Sequence, residues 1–337
     1  MAFTISPKGS TISKFMPGYL MALLSLLVTT SVAAQSISAL PTRDQTPLLQ
    51  SYFIPAMPAP SASGWSVSHA LYFTNTYQTD RSDSENLVID VENTRYDFQL
   101  NYWQDLWHFN LNVPLLSNRA GFLDQTIEGW HDIFGLPQGG RDKNPNDQIN
   151  LLYEKSGTIV IESQQPSEGI GDIQLATGYQ LTPQSQLWFA LEIPSSSSSN
   201  FISNQSTDWA IWYRLNGTGS SSKLNTFGAI GLTFPTDSGL FQGRVNDHFG
   251  FAQFGLNYAI SDAISFILQT DLHSAIIEDS DLDALGNSIQ AQFGLGFDRF
   301  IPQHHIELFF SEDILPGHAP DITFGLRVFP FTGSNSN

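Results

Sequence analysis

Alternation of apolar and polar residues with a period of two constrains the fold of this chain more than any other feature of its sequence. In Tyr96–Tyr102 aromatic and aliphatic residues alternate with Asp, Gln and Asn, and Trp107–Leu115 repeats the pattern with His and Asn. Successive side chains of a β-strand lie on opposite faces, so each stretch predicts a strand with one apolar and one polar face. Each is close to the roughly 9–11 residues with which a tilted strand crosses a bilayer.

The pattern returns along the whole chain and predicts an all-β, transmembrane, antiparallel up-and-down β-barrel. We predict about twelve strands; roughly ten or fourteen stay open because strand boundaries are the least certain part of such an interpretation. A soluble β-sandwich also alternates, but about seven to nine shorter strands would suffice for it. The predicted strands are 65–75, 87–103, 106–116, 171–181, 186–193, 208–215, 223–234, 249–260, 263–273, 288–297, 305–311 and 322–331.

The connections between these strands alternate in length. Short turns follow every even-numbered predicted strand, whereas long polar loops follow the odd-numbered ones, including the first. Outer-membrane barrels have this arrangement, with periplasmic turns and longer extracellular loops, so we expect both termini in the periplasm. A change of parity near residues 93–95 predicts a β-bulge in the second strand.

The N-terminus has the features of a secretory signal peptide. Lys8 and Lys14 precede an apolar core at 20–32, and Ala33 and Ala34 provide small residues for cleavage. This core is well short of the ~20 residues of a spanning helix, which disfavours a membrane anchor. We predict a signal peptide at 1–34 and a Ser- and Pro-rich periplasmic lead-in at 35–63. The barrel follows at 64–331 and a polar tail at 332–337.

The charge of the chain excludes several function classes. It has 14 Lys and Arg against 32 Asp and Glu, for a formal net charge of −18. This acidity argues against binding of nucleic acid, which calls for basic patches. The chain has no cysteine, which excludes disulfides, thiol catalysis and a lipid anchor on cysteine. The partners expected of such a barrel are outer-membrane lipids, lipopolysaccharide and the barrel assembly machinery of a Gram-negative bacterium.

The connection at 117–169 is too long for a passive loop. We predict a short amphipathic helix at about 122–135, ended by Gly135 and followed by Pro137. This helix could cap the barrel, enter its mouth as a constriction, or lie on the surface of the outer leaflet. Its apolar residues recur at helical spacing: Leu123, Ile127, Trp130 and Phe134.

One part of this loop resembles a known family. The runs Gly121–Asp124 and Glu128–Arg141 resemble the hallmark of the domain-of-unknown-function 3187 family of Gram-negative bacteria. This resemblance implies an outer-membrane barrel and brings no activity, ligand or catalytic residue with it. The motif is a candidate constriction or binding element, with Trp130, His131, Asp132, Phe134, Gly139, Gly140 and Arg141 as its residues.

The polar faces of the predicted strands define a lumen. Twelve strands lie between the roughly eight that just pack an interior and the sixteen to eighteen that leave an aqueous channel. We therefore predict a narrow or gated channel or binding protein for a small solute, favouring cations if open. The alternative is a structural or surface-interaction barrel with a closed lumen. The main polar residues predicted to face the lumen are Asp97, Asn101, His108, Asn110, Glu192, Asp208, Arg214, Asp271, Glu307 and Arg327.

A lipid-modifying enzyme is the third alternative. A nucleophilic Ser needs a His within hydrogen-bond reach, and His273–Ser274 offers only the residue types, with His273 pointing to the lumen by parity. His304 and His305 are adjacent, so they point to opposite faces of a strand and are unsuited to binding one metal ion. We predict no catalytic residues, no metal and no cofactor.

Overall fold

The computed structural model describes residues 39–41, 44–55, 58, 63–135, 145–195, 201–218, 223–314 and 317–330. Twelve antiparallel strands form a closed barrel wall, because the first strand, Gly64–Arg81, pairs both with the next strand and with the last one, Ile322–Pro330. The sequence prediction of a twelve-stranded up-and-down barrel is therefore confirmed. The signal peptide predicted at 1–34 and the tail predicted at 332–337 lie outside the described residues.

The wall strands follow each other in chain order, apart from three short strands inserted between β3 and β7. Nearly every wall strand ends within a few residues of its predicted bounds. The wall strands are β1 (Gly64–Arg81), β2 (Glu85–Gln104), β3 (Trp107–Arg119), β7 (Ile173–Thr182), β8 (Ser185–Ile193), β9 (Asp208–Thr218), β10 (Leu224–Phe234), β11 (Phe249–Ala259), β12 (Ile264–His273), β13 (Ser288–Ile301), β14 (His304–Asp313) and β15 (Ile322–Pro330).

The outer face of the wall is apolar. Large apolar side chains on every second residue of the strands are exposed, as expected of a barrel wall whose outer face contacts the lipid of a bilayer. Their polar neighbours in sequence are turned inward and buried, so the period-two pattern separates lipid from lumen. Exposed members of this outer face include Trp107, Phe109, Leu175, Phe189, Ile211, Leu232, Leu295, Leu308 and Leu326.

The bulge predicted near residues 93–95 is wrong. β2 pairs with β1 without a break from Asn86 to Trp103, and its inward parity is constant. The apparent change of parity arises because Leu87, Ile89 and Val91 point inward, into an apolar cluster. The inward face of β2 changes from polar to apolar along the strand, while its backbone stays regular.

The long loop predicted after the first strand is also wrong. β1 has 18 residues and β2 has 20, and they pair up to Arg81 and Asn86, so only three residues connect them. Both strands exceed the roughly 9–11 residues that cross a bilayer. They therefore extend the wall beyond the membrane at the end that carries the long loops, which we call the long-loop end.

Three strands in the long connection were missed by the sequence prediction. β4 (Asn150–Lys155) pairs with the Glu85–Asp90 part of β2, and β5 (Thr158–Ser163) pairs with β4. β6 (Ser167–Ile170) pairs with β3. They raise one side of the wall at the long-loop end. Each is six residues or shorter, which leaves too few alternating positions for a pattern to be read.

The helix predicted at 122–135 is present as α1 (Asp124–Phe134), with Gly135 in the left-handed conformation directly after it. Gly adopts this conformation at little cost and commonly ends helices. Within the described residues, no helix is long and apolar enough to cross a membrane.

Two apolar clusters lie inside the wall. The cap cluster fills the long-loop end and joins Leu87, Ile89 and Val91 to β4, β5 and the loops after β10 and β12. The luminal cluster lies near the middle of the wall and includes Tyr72, Trp188, Trp212, Phe227, Phe251 and Phe309. Residues from 39 to 54 contribute to both clusters. The core of this protein therefore lies in the barrel lumen.

Candidate functional site

The polar residues predicted for the lumen all lie on the inward-facing parity of their strands. Asp271 is half-buried and the others are buried. Since lipid-facing neighbours on the same strands are exposed, this burial comes from material inside the barrel. These residues are Asp97, Asn101, His108, Asn110, Glu192, Asp208, Arg214, Asp271, Glu307 and Arg327.

The loop-helix motif is described only in part. The backbone of Trp130, His131 and Phe134 belongs to α1, whereas Gly139, Gly140 and Arg141 lie outside the described residues. Asp132 is exposed. The motif is therefore not brought together with the lumen-facing residues by the part of the chain that the structure describes.

The start of α1 is attached to the outward-facing side of the wall, because Asn75 of β1 and Glu92 of β2 pair with each other on the parity opposite to that of Asp97. Glu92 accepts hydrogen bonds from the backbone N–H groups of Phe122 and Leu123, the first at 2.9 Å. Asp124 Oδ1 accepts a bond of 2.9 Å from Asn75. Leu123 and Ile127 are buried, but Ile133 is 78% exposed. The helix thus begins against the outer side of β1 and β2, and its end is exposed to solvent.

The lumen is occupied by a segment that the sequence prediction placed outside the barrel. Residues 39–41 and 44–55, here called the N-terminal segment, are buried along their whole length. They contact inward-facing side chains of β1, β2, β3, β12 and β15. For these residues the predicted periplasmic lead-in is wrong, because a Ser- and Pro-rich composition without periodicity does not reveal a partner that lies inside the wall.

Near the middle of the lumen the wall binds the backbone of this segment. Gln269 accepts a hydrogen bond from the N–H of Leu40 at 2.8 Å and donates one to its carbonyl at 3.1 Å. Arg327 Nη2 donates to the carbonyl of Ala39 at 2.7 Å. The hydroxyl of Tyr72 donates to the carbonyl of Pro41 at 2.9 Å.

Towards the long-loop end the segment forms a helical turn. The N–H groups of Leu49 and Gln50 both donate to the carbonyl of Thr46 at 2.8 Å. Leu48, Leu49 and Tyr52 enter the cap cluster. The segment then returns through Phe53, which packs in the luminal cluster. The outgoing and the returning part of the segment both lie inside the barrel.

Side-chain contacts fix the turn in place. Asn93 of β2 donates to the carbonyl of Gln45 at 2.8 Å and to Gln50 Oε1 at 2.9 Å. The hydroxyl of Tyr52 donates to the carbonyl of Ser238 at 3.1 Å and accepts the N–H of Phe241 at 3.2 Å. The segment is thereby connected to the wall and to the loop after β10.

One charged contact also holds the segment. Asp44 Oδ2 lies 3.0 Å from Nε2 of His273. Burial disfavours the ionised carboxyl, but His273 and the N–H and hydroxyl of Thr46 outweigh it and hold the pKa of Asp44 below its usual range. His273 also contacts the carbonyl of Ser274. It faces the lumen, where a membrane-lipid substrate for a catalytic Ser–His pair would not be found.

Buried ion pairs lie along the inner wall. Arg327 Nε donates to Glu307 Oε2 at 2.7 Å, and both side chains are fully buried. Arg95 Nε donates to Asp97 Oδ1 at 2.8 Å. Separating such a pair would leave an uncompensated charge inside the wall, which is costly. The two side chains of each pair are therefore held in a fixed orientation.

Aromatic side chains on the inner wall were missed by the sequence prediction, which described the lumen as polar. Trp188 of β8 stacks on Trp212 of β9 with ring centroids 5.5 Å apart and planes at 8°. Glycines stand opposite these rings, such as Gly178 opposite Trp188 and Gly325 opposite Phe309. A Cβ at either glycine would overlap the ring. The parity that placed Glu192 and Glu307 inward also places Trp188 and Phe309 inward, so the signal was present.

The barrel is similar to several solved outer-membrane barrels. The COG4313 outer membrane channel from Pseudomonas putida F1 matches with 11% identity and a TM-score of 0.51 over 80% of this chain and 96% of that chain. The CymD monoaromatic hydrocarbon channel matches with 10% identity and a TM-score of 0.43 over 81% and 90% of the two chains. The NanC porin matches with 13% identity and a TM-score of 0.41 over 80% and 100%. At 11% identity, the match to the COG4313 channel shows a common fold and nothing more.

The sequence itself connects the chain with one family. No curated protein sequence matches it. The profile of the family described as "Protein of unknown function (DUF3187)" matches residues 15–328, which include the wall, the N-terminal segment and the loop helix. The resemblance seen in the Trp130–Arg141 motif is therefore confirmed, and the chain belongs to this family.

Proposed function

We propose that this protein is an outer-membrane channel for a small solute, and that its N-terminal segment closes the lumen in the present state. The observation that carries the proposal is the content of the lumen. A narrow barrel fills its interior with side chains of the wall itself, whereas this wall holds a separate stretch of backbone. Departure of that stretch would leave a passage lined by polar and aromatic groups.

Part of what holds the segment is a set of polar groups that can exchange their partners for water. Gln269, Asn93 and Tyr72 bind its backbone through neutral hydrogen bonds, each of which contributes about 0.5–1.5 kcal/mol net. The wall strands, in contrast, are joined by continuous ladders. Departure of the segment would therefore leave the hydrogen bonds that hold the wall together in place.

An open lumen would favour cations. Inward-facing carboxylates include Asp97, Glu192, Asp208, Asp271 and Glu307. Arg95 and Arg327 are paired with two of these acids. A low-dielectric wall strengthens the field of the acids on a passing ion. Reversal potentials in a KCl gradient test this preference, and a chloride-selective value would contradict it.

The location follows from the outer face of the wall. Its apolar residues suit the outer membrane of a Gram-negative bacterium, with lipids and lipopolysaccharide around the barrel and assembly by the barrel assembly machinery. Gly64 and Pro330 lie at the same end of the wall, opposite the long-loop end. Both termini would then face the periplasm.

A closed barrel with a structural or surface-interaction role is the second candidate. The cap cluster favours it, because Leu48, Leu49 and Tyr52 are packed there among buried residues of β2, β4 and two loops. Burial of these side chains stabilises the closed state by roughly 1.5–3 kcal/mol each. If that packing never opens, the protein conducts no ions.

Conductance in planar bilayers distinguishes the two candidates. The absence of cysteine allows a double variant, Asp44→Cys with His273→Cys, to be joined by a short bis-methanethiosulfonate, which forms a reducible disulfide with each thiol. We expect cross-linking to abolish conductance and a reducing agent to restore it. Each single cysteine variant, treated in the same way, is the matched control and should keep conducting.

A second variant removes residues 39–55. Its folding is checked by its resistance to unfolding in detergent at room temperature, a general property of closed barrels. We expect larger and steadier conductance than in the full chain. A folded deletion variant that does not conduct would reject the channel and support the closed barrel.

A further inference from the structure

The wall around residues 39–41 binds peptide groups one after another. Three successive carbonyls, those of Ala39, Leu40 and Pro41, accept hydrogen bonds from side chains of β15, β12 and β1. The N–H of Leu40 donates to Gln269. A primary amide that binds both polar groups of one residue matches the donor and acceptor pattern of a peptide backbone.

The groups that make these contacts are themselves held by the wall. Gln269 Nε2 also lies 2.6 Å from Gln292 Oε1 and 3.0 Å from Asp271 Oδ2, so its two hydrogens are shared among these two acceptors and the carbonyl of Leu40. Arg327 is fixed by Glu307. All five residues lie on wall strands, so their orientation does not depend on the N-terminal segment. A site whose polar groups are oriented in advance by their neighbours binds with a smaller entropic cost.

A seat for one aliphatic side chain adjoins these groups. Leu40 is fully buried in the luminal cluster. A Cβ built on Gly294 of β13 would lie 3.1 Å from Leu40 Cδ2 and 3.4 Å from Ile267 Cβ. The glycine therefore makes the space that the leucine side chain fills.

We propose that this part of the lumen is a binding site for short apolar peptides, and that residues 39–41 occupy it as an internal ligand. The inference rests on the proposed channel function and names the class of solute. A pure hydrocarbon would not replace the hydrogen bonds that Gln269 and Arg327 now make to the backbone of residues 39 and 40, and burying such groups with fewer hydrogen bonds is costly. A peptide with an aliphatic residue restores each of these contacts.

The test uses the full-length chain and its Leu40→Asn variant, in which the N-terminal segment no longer fills the aliphatic seat. The probe is acetyl-Ala-Leu-Pro-amide, which reproduces residues 39–41. We expect it to block the conductance of the variant and to change the fluorescence of Trp188 and Trp212 in the luminal cluster. Acetyl-Ala-Asn-Pro-amide, of similar size, should bind about tenfold more weakly, because a polar side chain loses the aliphatic contact.

Two wall variants in the Leu40→Asn background locate the site. Gln269→Leu should weaken binding of acetyl-Ala-Leu-Pro-amide by about tenfold or more, since it removes a hydrogen-bond donor and an acceptor. Gln290→Leu, also inward-facing, should leave binding unchanged. Equal binding of the two peptides, or full binding by the Gln269→Leu variant, would overturn the peptide site.

Conductance and fluorescence separate this inference from the channel itself. A conducting variant in which neither peptide binds selectively rejects the peptide site and leaves the channel in place. Selective changes in fluorescence without any conductance keep the site and reject passage through the lumen.

Discussion

The carboxylate of Asp44 and the imidazole of His273 are in contact, with Oδ2 and Nε2 3.0 Å apart, although 229 residues separate them along the chain. Asp44 belongs to the N-terminal segment, and His273 is the last residue of β12. Both side chains are buried. The contact therefore reports directly whether the segment is in the lumen, and it depends on the charge of the carboxyl.

The first prediction concerns acid pH. The pKa of Asp44 is lowered when the segment is in place, so the contact stabilises the closed state fully above the usual pKa of about 3.9. Its contribution is lost as pH falls through the lowered value. We expect open events in planar bilayers to become more frequent below about pH 3.9 than at pH 7.

Two variants check the origin of this pH dependence. Asp44→Asn should open at pH 7 and lose most of the difference between the two pH values. Asp83→Asn changes an exposed acid in the short connection after β1 and should behave as the unaltered protein. An Asp44→Asn variant that keeps the full acid response would show that other carboxyls control the segment.

The second prediction concerns the buried pair of Arg327 and Glu307. We expect Glu307→Gln to lower the free energy of unfolding by about 3–5 kcal/mol, because it leaves the guanidinium without its charged partner inside the wall. Urea titration in lipid vesicles, followed by tryptophan fluorescence, measures the change.

An exposed ion pair provides the matched control. Arg119 and Glu168 pair at the long-loop end with side chains 64% and 67% exposed. Glu168→Gln should change the free energy of unfolding by less than about 1 kcal/mol. Similar losses for the two variants would mean that the Arg327 pair is hydrated rather than buried.

The third prediction concerns the glycines that face aromatic rings. Gly325 pairs with Phe309 across β14 and β15, and a Cβ on Gly325 would overlap the ring. We expect Gly325→Ala to lower the free energy of unfolding by about 1–3 kcal/mol through overpacking. Gly250→Ala, where the nearest atoms would lie 3.9 Å from the new Cβ, should be nearly neutral.

A double-mutant cycle isolates the overlap. In a Phe309→Leu background the ring is gone, so Gly325→Ala should cost much less than it does alone. Additive losses would place the cost of the alanine in the backbone rather than in the contact with Phe309.

The fourth prediction concerns the outer face. Leu308 is 50% exposed near the middle of β14, where we expect lipid. Leu308→Arg should lower the free energy of unfolding in vesicles by about 2–4 kcal/mol. Ile159→Arg is the control: Ile159 is 56% exposed but lies on β5, outside the barrel wall. Equal effects would mean that the outer face of β14 is not in the bilayer.

The strands of the wall and the orientation of their side chains follow from the sequence because both depend on local geometry. Asp97, Asn101 and Glu307 were placed inward from parity alone, and they lie on the inward face. α1 was predicted from helical spacing and from Gly135. These features need no knowledge of which strand lies next to which.

The regions in which the sequence prediction failed share another property: their structure depends on contacts with distant parts of the chain. Leu87, Ile89 and Val91 give the strand pattern an apparent interruption, because the sequence does not show the cap cluster that their apolar side chains enter. Short strands such as β4 gain their stability from pairing with β2, and their own sequence is too brief to show it.

The sequence by itself determined the barrel, since a period of two and strands of membrane length leave few other ways to bury apolar residues. Only the tertiary structure decided what fills it. The contacts of Leu40 with Gln269 and of Asp44 with His273 join residues more than two hundred positions apart. No local pattern encodes such pairs, because each requires the closed wall that brings its two members together.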